Sequence, residues 1–183
     1  MLDTRELGRR PGSERKVSLT APAPADLGIG VIGVPEGSDV ELELRLEAVI
    51  EGVLATGTAR VVAVGECVRC LESVEESLDV DIQELYAYDD GGDAAAGGDG
   101  PDDIRRLEGD LLDLESVLRD EVVLALPLKP LCRPDCAGLC PECGVRLADV
   151  PGHAHEEDID PRWAALSRLT GDERPDDSGP DEE

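Results

Sequence analysis

Residues 40–47 read VELELRLE, so an apolar side chain alternates with a charged one at every step. A period of two predicts a β-strand with one buried face and one face in water. Glu51-Gly52 follows and marks a turn. This stretch therefore predicts that a β-sheet, covered on one face, forms the centre of the protein.

Two further strands are predicted after that turn. Residues 53–65 are rich in Val, Thr and Ala, and residues 74–86 alternate again with one irregular step. Strands joined by short turns form an antiparallel meander. The predicted fold class is α+β: mostly an antiparallel β meander or barrel-like sheet, with one or two helices and a C-terminal zinc-knuckle segment.

Two helices are predicted in the second half of the chain. Apolar residues recur at helical spacing over residues 111–122, where Asp110 or Asp113 is a suitable cap. A short C-terminal helix is predicted within residues 151–169, capped by Asp160. One side of it is formed by Trp163, Leu166 and Leu169.

The 183-residue length fits one compact domain with appendages. We expect this domain to span residues 1–150. Residues 89–103 are rich in Gly and Asp and predict a flexible acidic loop, because such a segment buries too little apolar surface to offset the cost of ordering. For the same reason, residues 170–183 predict a disordered acidic tail.

Charge and hydropathy limit the classes of partner. The chain carries 43 acidic against 17 basic residues, a formal charge of −26, which disfavours non-specific nucleic-acid binding and favours a basic partner. The longest apolar stretch near the start, Leu27–Val34, is far shorter than the about 20 residues of a membrane helix. We expect a cytoplasmic monomer with neither a membrane span nor a signal peptide.

The six cysteines carry the clearest chemical signal. Four lie within residues 132–143, and the ending CPECG has the form of a metal-binding knuckle. In a reducing compartment this spacing indicates a closed structural zinc site. Two ligand sets remain open: the compact set Cys132, Cys136, Cys140 and Cys143, or the facing pairs Cys67, Cys70, Cys140 and Cys143.

Basic residues flank these thiols, and no catalytic motif accompanies them. Arg69, Lys129, Arg133 and Arg146 are candidates for balancing a metal-thiolate charge. His153 and His155 stand beside acidic residues in a Gly/Pro-rich stretch and are interpreted as surface residues without a role. We predict that the protein is not an enzyme, with a thiol redox pair at Cys67 and Cys70 as the alternative.

Three segments carry a resemblance to a known family. They are GTARVVAVGECVRCL at residues 57–71, the stretch from Asp113-Leu114 to EVVLALPLKPLC at residues 113–132, and DCAGLCPECG at residues 135–144. With LDTREL at residues 2–7, they resemble the YceD family, the large ribosomal RNA subunit accumulation proteins. The resemblance covers about residues 1–150 and implies a cytosolic or organellar protein needed for normal levels of 23S rRNA.

Two mechanisms follow from this resemblance. In the first, the protein is a non-enzymatic factor that contacts 23S rRNA or a large-subunit precursor through metal-stabilised loops, with Arg69, Lys129, Arg133 and Arg146 as the RNA-contacting residues. In the second, it is an acidic adaptor or chaperone for a basic large-subunit ribosomal protein. Composition alone favours the second, because the net charge is strongly negative.

Overall fold

The structure is a computed structural model that describes residues 1–88, 105–155 and Arg162. The expected acidic loop at 89–103 and the expected tail at 170–183 lie outside the described residues. The same holds for most of the expected helix at 151–169, of which residues 151–155 form a turn and an irregular stretch.

The described chain is mostly antiparallel β-sheet with one helix. Its elements, in chain order, are β1 (Leu2–Asp3), β2 (Glu14–Pro22), β3 (Gly28–Ile29), β4 (Ile32–Gly33), β5 (Asp39–Ala48), β6 (Gly52–Glu66), β7 (Ser73–Ala87), β8 (Leu111–Leu112) and α1 (Glu115–Ala125).

Strand β6 is the centre of the main sheet. It pairs with β7 along its whole length, and its other edge pairs first with β5 and then with β4. Strand β2 extends the sheet beyond β5 and β3 extends it beyond β4, so β2, β3 and β7 are edge strands in the described part of the chain. The expected barrel-like closure is wrong, because β2 does not pair with β7 among the described strands and α1 packs against β7.

Alternation along β5 places its apolar residues on the covered face. Leu46 is fully buried there, and Val53 and Tyr86 lie beside it at 1% exposure. Helix α1 covers this face with Val117 and Val122, as an amphipathic helix does.

Helix α1 begins at Glu115, four residues later than the start predicted at residue 111. Leu111 and Leu112 instead form β8, because Leu112 pairs with Leu2 of the N-terminal arm and is fully buried. Neither expected cap holds the N-cap position, which is Leu114 and has no side-chain cap hydrogen bond, although Asp113 accepts a hydrogen bond from the Glu115 N–H at 3.1 Å.

The β6–β7 hairpin positions the cysteines. Its ladder runs unbroken from the pair Gly52 and Ala87 to the pair Glu66 and Ser73, and residues 67–72 form its tip. After α1 the chain returns to this tip, where the Val68 N–H donates to the Pro130 carbonyl at 3.0 Å. Within the part of the chain that the structure describes, no helix has the length and apolarity needed to cross a bilayer.

Candidate metal centres

Four thiols converge at the tip of the hairpin. The Sγ atoms of Cys67, Cys70, Cys132 and Cys136, here called the four-cysteine centre, lie within 4.8 Å of one another. Cys67 and Cys136 are 3.8 Å apart, and Cys70 and Cys132 are 3.5 Å apart. Four sulfurs at the usual ~2.3 Å from a zinc ion are about 3.8 Å apart in a tetrahedron. The arrangement can therefore hold one tetrahedral metal ion.

The other two cysteines lie in a second group. Cys140, Cys143, His153 and His155, here called the cysteine–histidine cluster, also bring their ligand atoms within 4.8 Å of one another. Cys143 Sγ is 3.2 Å from His153 Nε2, which is 2.9 Å from His155 Nε2.

The structure groups the cysteines differently from both expected ligand sets. Cys132 and Cys136 join Cys67 and Cys70, while Cys140 and Cys143 lie apart from them with two histidines. The chain turns away after Cys136, since Gly138 has a left-handed φ of 84°. A Cβ at Gly138 would lie 3.1 Å from the Arg69 carbonyl oxygen, which accepts the Leu139 N–H. Past this turn, Cys140 and Cys143 lie in a different group from Cys132 and Cys136.

The tip of the hairpin forms a tight loop around the first thiol pair. The Cys67 N–H donates to the Glu72 carbonyl at 2.7 Å, and the Leu71 N–H donates to the Cys67 carbonyl at 2.9 Å. Leu71 has a φ of 61°, a left-handed conformation that leucine rarely adopts. The two bonds and the left-handed residue fold CVRC so that both thiols project to one side.

The second thiol pair has the same backbone pattern. The Cys140 N–H donates to the Val145 carbonyl at 2.8 Å, and the Gly144 N–H donates to the Cys140 carbonyl at 2.9 Å. Gly144 has a φ of 73°, matching the left-handed Leu71. The CPECG motif therefore folds as the knuckle expected from its sequence, and CVRC is a second knuckle of the same form.

Backbone donors favour the thiolate form of the first cysteine in each knuckle. Burial acts to raise the pKa of Cys67, but the N–H groups of Cys132, Arg69 and Cys70 bond its sulfur and lower that pKa to about 6. In the second knuckle, the N–H groups of Cys143 and Glu142 lower the pKa of Cys140 to about 6. Metals bind thiolates, so both knuckles favour the ligating state.

Two other thiols of the four-cysteine centre, Cys70 and Cys132, have raised pKa values and resist ionisation without a cation. Burial, followed by the neighbouring thiols Cys70, Cys136 and Cys67, raises the pKa of Cys132 to about 12. Close thiolates repel one another, and a divalent ion removes that repulsion. The donor set thus fits a bound metal ion better than four free thiols.

Two arginines stabilise the segments that carry the four-cysteine centre. Arg69 Nη1 donates to the Cys136 carbonyl at 2.8 Å, and Arg146 pairs with Glu72. The Glu72 carboxylate lies 3.6 Å from Cys70 Sγ, and its pKa is lowered by Arg146. These contacts fix the two segments that supply the ligands, as outer groups around metal sites do.

The four-cysteine centre has its own small core, separate from that of the sheet. Cys67, Cys70 and Cys136 are buried in it, and the half-buried residues packed against them are Val74, Leu131, Cys132 and Leu139. So few apolar side chains supply little hydrophobic stabilisation. The fold of the four-cysteine centre therefore depends on the interaction that joins its thiols.

Comparison with known proteins identifies the family. The profile of "Large ribosomal RNA subunit accumulation protein YceD" matches residues 55–170, a stretch that includes both clusters. The chain belongs to the YceD family. No solved structure matches it.

Three relatives of this YceD-family chain are uncharacterized proteins. Rv2926c of Mycobacterium tuberculosis is 46% identical over 172 residues, which are 94% of this chain and 82% of that protein. ML1660 of Mycobacterium leprae is 37% identical over 175 residues, 96% of this chain and 79% of that protein. YlbN of Bacillus subtilis is 25% identical over 104 residues, 56% of this chain and 58% of that protein.

The expected RNA-contacting residues all lie on the segments that build the clusters, but in different settings. Lys129 and Arg133 are exposed, and the guanidinium of Arg133 is 3.8 Å from Asp135. Arg69 is exposed but holds the Cys136 carbonyl, and Arg146 is held by Glu72. Lys129 and Arg133 are therefore the better placed of the four for an external ligand.

His153 and His155, interpreted from the sequence as surface residues without a role, are the site residues that sequence reasoning missed. Their spacing did carry a signal, because a His-x-His pair follows Cys143 at ten residues. Zinc sites commonly combine a C-x-x-C pair with two later histidines, although the two histidines are usually three to five residues apart rather than two.

Proposed function

We propose that this YceD-family protein is a non-enzymatic cytoplasmic factor in large ribosomal subunit biogenesis, and that it contacts 23S rRNA or a precursor. Family membership supports the role in accumulation of the large-subunit RNA. The metal-stabilised tip of the β6–β7 hairpin is the proposed contact region, because it gathers basic side chains on rigid loops. The observation that carries the proposal is the family match across both clusters.

The ion in the four-cysteine centre is proposed to be zinc. Four soft thiolate donors in a tetrahedral arrangement suit zinc. All four ligand positions are taken by protein, so no position remains for a water or a substrate. The centre is therefore structural in this proposal and holds the loops that carry Lys129 and Arg133.

In this mechanism, the basic residues near the tip must attract the RNA more strongly than the net negative charge of the whole chain repels it. The four basic residues lie within two short segments, 69–72 and 129–146, that meet at the centre. At physiological salt, charges interact strongly only within about 8 Å. A phosphate at the tip would therefore respond to Lys129, to Arg133 and to the neighbouring Asp135 rather than to acids elsewhere on the chain.

Reversing the two exposed charges should weaken RNA binding. With Lys129→Glu and Arg133→Glu together, we expect at least about a tenfold loss in affinity for a large-subunit rRNA transcript. The slope of log affinity against log salt should become shallower by about 0.7 to 0.9 for each phosphate that the variant no longer neutralises. Binding is measured by filter retention across salt concentrations.

The matched control is Lys16→Glu, which reverses an exposed charge on β2, in the sheet and away from the clusters. This variant should retain the affinity and salt slope of the unaltered protein apart from a small uniform decrease. Equal binding by the double variant and the control would exclude this contact region.

A second candidate function, the acidic adaptor, is supported by the water-facing side of the sheet. On this outer face, acids outnumber basic residues on β5 and its neighbours, as in the row Glu43, Thr58 and Asp81. Nine acids lie there against Lys16, Arg45 and Arg60: Glu14, Asp39, Glu41, Glu43, Glu47, Glu66, Glu75, Asp79 and Asp81. A surface of this sign suits a basic ribosomal protein.

Neutralising part of the outer face tests the adaptor. Glu43→Gln with Asp81→Gln should lower the yield of basic large-subunit proteins captured by the purified chain at low salt by about half or more. Glu36→Gln, an exposed change in the loop before β5, is the control and should leave the yield unchanged. An undiminished yield with the double variant would remove the outer face as a docking surface.

The redox alternative has less support from the geometry. Cys67 is fully buried and Cys70 is 7% exposed, so neither sulfur is accessible to a dithiol partner. Both lie in a hairpin tip, whereas reactive C-x-x-C pairs lie at a helix N-terminus.

A further inference from the structure

We propose that this chain binds a second metal ion in the cysteine–histidine cluster, separate from the ion in the four-cysteine centre. The ligands would be Cys140, Cys143, His153 and His155, and the ion class is a borderline divalent cation of the zinc type. This inference goes beyond the proposed function, since it concerns the number of ions and their ligands rather than the biological role.

The ligand atoms of the cluster have the spacing of a tetrahedral site. At the usual zinc distances of ~2.3 Å to sulfur and ~2.05 Å to nitrogen, a sulfur and a nitrogen ligand lie about 3.6 Å apart and two nitrogens about 3.3 Å apart. Cys143 Sγ and His153 Nε2 are 3.2 Å apart, and the two Nε2 atoms are 2.9 Å apart. Small outward shifts would accommodate an ion.

Both histidines turn the same nitrogen toward the thiols. The rings meet edge to face, at 85°, with centroids 4.6 Å apart, so that the Nε2 atoms converge without the rings stacking. His153 is placed by its N–H, which donates to the Val150 carbonyl at 3.2 Å. Convergence of two imidazole nitrogens on a knuckle is what a site with two thiolate and two imidazole ligands requires.

A carboxylate orients the outer histidine. His155 Nδ1 lies 3.2 Å from a Glu142 carboxylate oxygen, on the opposite side of the ring from the cluster. A proton held at Nδ1 by this carboxylate leaves the Nε2 lone pair facing Cys143 and its neighbours. The pairing of carboxylate, histidine and metal recurs at zinc sites and fixes the tautomer of the ligand.

The eight donors divide into two complete sets with no shared ligand. Six sulfurs and two nitrogens form one group of four thiols and one group of two thiols and two imidazoles. Two thiolates neutralise a divalent ion, whereas four leave a net charge of −2. The cluster can therefore lie beside Glu142 without basic support, while the four-cysteine centre is braced by Arg69 and Arg146.

Exposure distinguishes the two sites. Cys143 and His155 are exposed, whereas three of the four ligands in the four-cysteine centre are buried. A chelator therefore reaches the second ion first. We expect the purified protein to release its two ions in two phases, the faster one from the cysteine–histidine cluster.

Zinc content and X-ray absorption of the full-length protein test the proposal. We expect two zinc ions per chain and an average first shell of three sulfurs and one nitrogen. In His153→Ala with His155→Ala, one zinc should remain, with a first shell of four sulfurs. In Cys67→Ser with Cys70→Ser, the remaining zinc should show two sulfurs and two nitrogens.

The X-ray absorption spectrum of the unaltered protein tests the proposal even if a variant does not fold. One zinc per chain with four sulfurs and no imidazole scattering would overturn the proposal. Two ions retained by the histidine double variant would also overturn it. The loss of a single ion from that variant, with the β-sheet circular dichroism unchanged, would support it.

Discussion

Replacing Cys136 by serine is expected to release the metal from the four-cysteine centre and to unfold its surroundings while the sheet persists. Cys136 is 3% exposed, and its sulfur lies 3.8 Å from that of Cys67. A structural zinc site contributes about 10 to 16 kcal/mol of apparent binding free energy, which the small apolar core around it does not replace. The segment 131–139 should therefore lose order, whereas the second knuckle keeps its own ligands.

Hydrogen exchange of the backbone measures this effect. In Cys136→Ser the amides of residues 67–72 and 131–139 should exchange much faster than in the unaltered protein, while those of β5 and β6 keep their protection. Cys143→Ser is the matched control, because Cys143 is exposed and belongs to the other cluster. It should leave residues 67–72 protected. Equal exchange in the two variants would contradict a separate four-cysteine centre.

Replacing Tyr86 by alanine should give the second large effect, on the sheet itself. Tyr86 is 1% exposed at the end of β7, and its hydroxyl donates to the Asp113 carbonyl at 2.8 Å. Truncating a buried aromatic residue costs about 3 to 5 kcal/mol of unfolding free energy. The loss should be close to that range, because the same side chain joins the sheet to the segment before α1.

Urea denaturation in zinc-containing buffer measures this loss. Tyr86→Phe, which removes only the hydroxyl, should cost about 1 kcal/mol. Leu128→Ala is the control for an exposed apolar residue, since Leu128 is 82% exposed, and it should change stability by less than about 0.5 kcal/mol. A Tyr86→Ala loss no larger than that of Leu128→Ala would contradict the described core.

Much of the sheet was predictable because its strands alternate. Residues 40–47, 53–65 and 74–86 fall within β5, β6 and β7. Strand β2 was not predicted from the sequence, although Val17, Leu19 and Ala21 alternate with polar residues there. The alternation is weak, and the inward-facing residues of this edge strand are only half-buried. The pair of β1 and β8 joins residues more than a hundred positions apart, so local sequence contains no sign of it.

The candidate site was predictable in its parts but not in its grouping. The knuckle form of Cys140 to Gly144 followed from the sequence, and the structure has it. Short loops favoured ligation within residues 132–143, because closing them costs little entropy. The β6–β7 hairpin overrides that preference by holding Cys67 and Cys70 against Cys132 and Cys136. Such a contact depends on the register of fifteen-residue strands, which the cysteine spacing does not encode.

The most direct measurement is anomalous diffraction at the zinc edge from crystals of the full chain. The account predicts a strong peak at the centre of the tetrahedron formed by the sulfurs of Cys67, Cys70, Cys132 and Cys136. A peak bound instead by Cys132, Cys136, Cys140 and Cys143 would contradict it. So would ordered thiols at the hairpin tip with no anomalous peak between them.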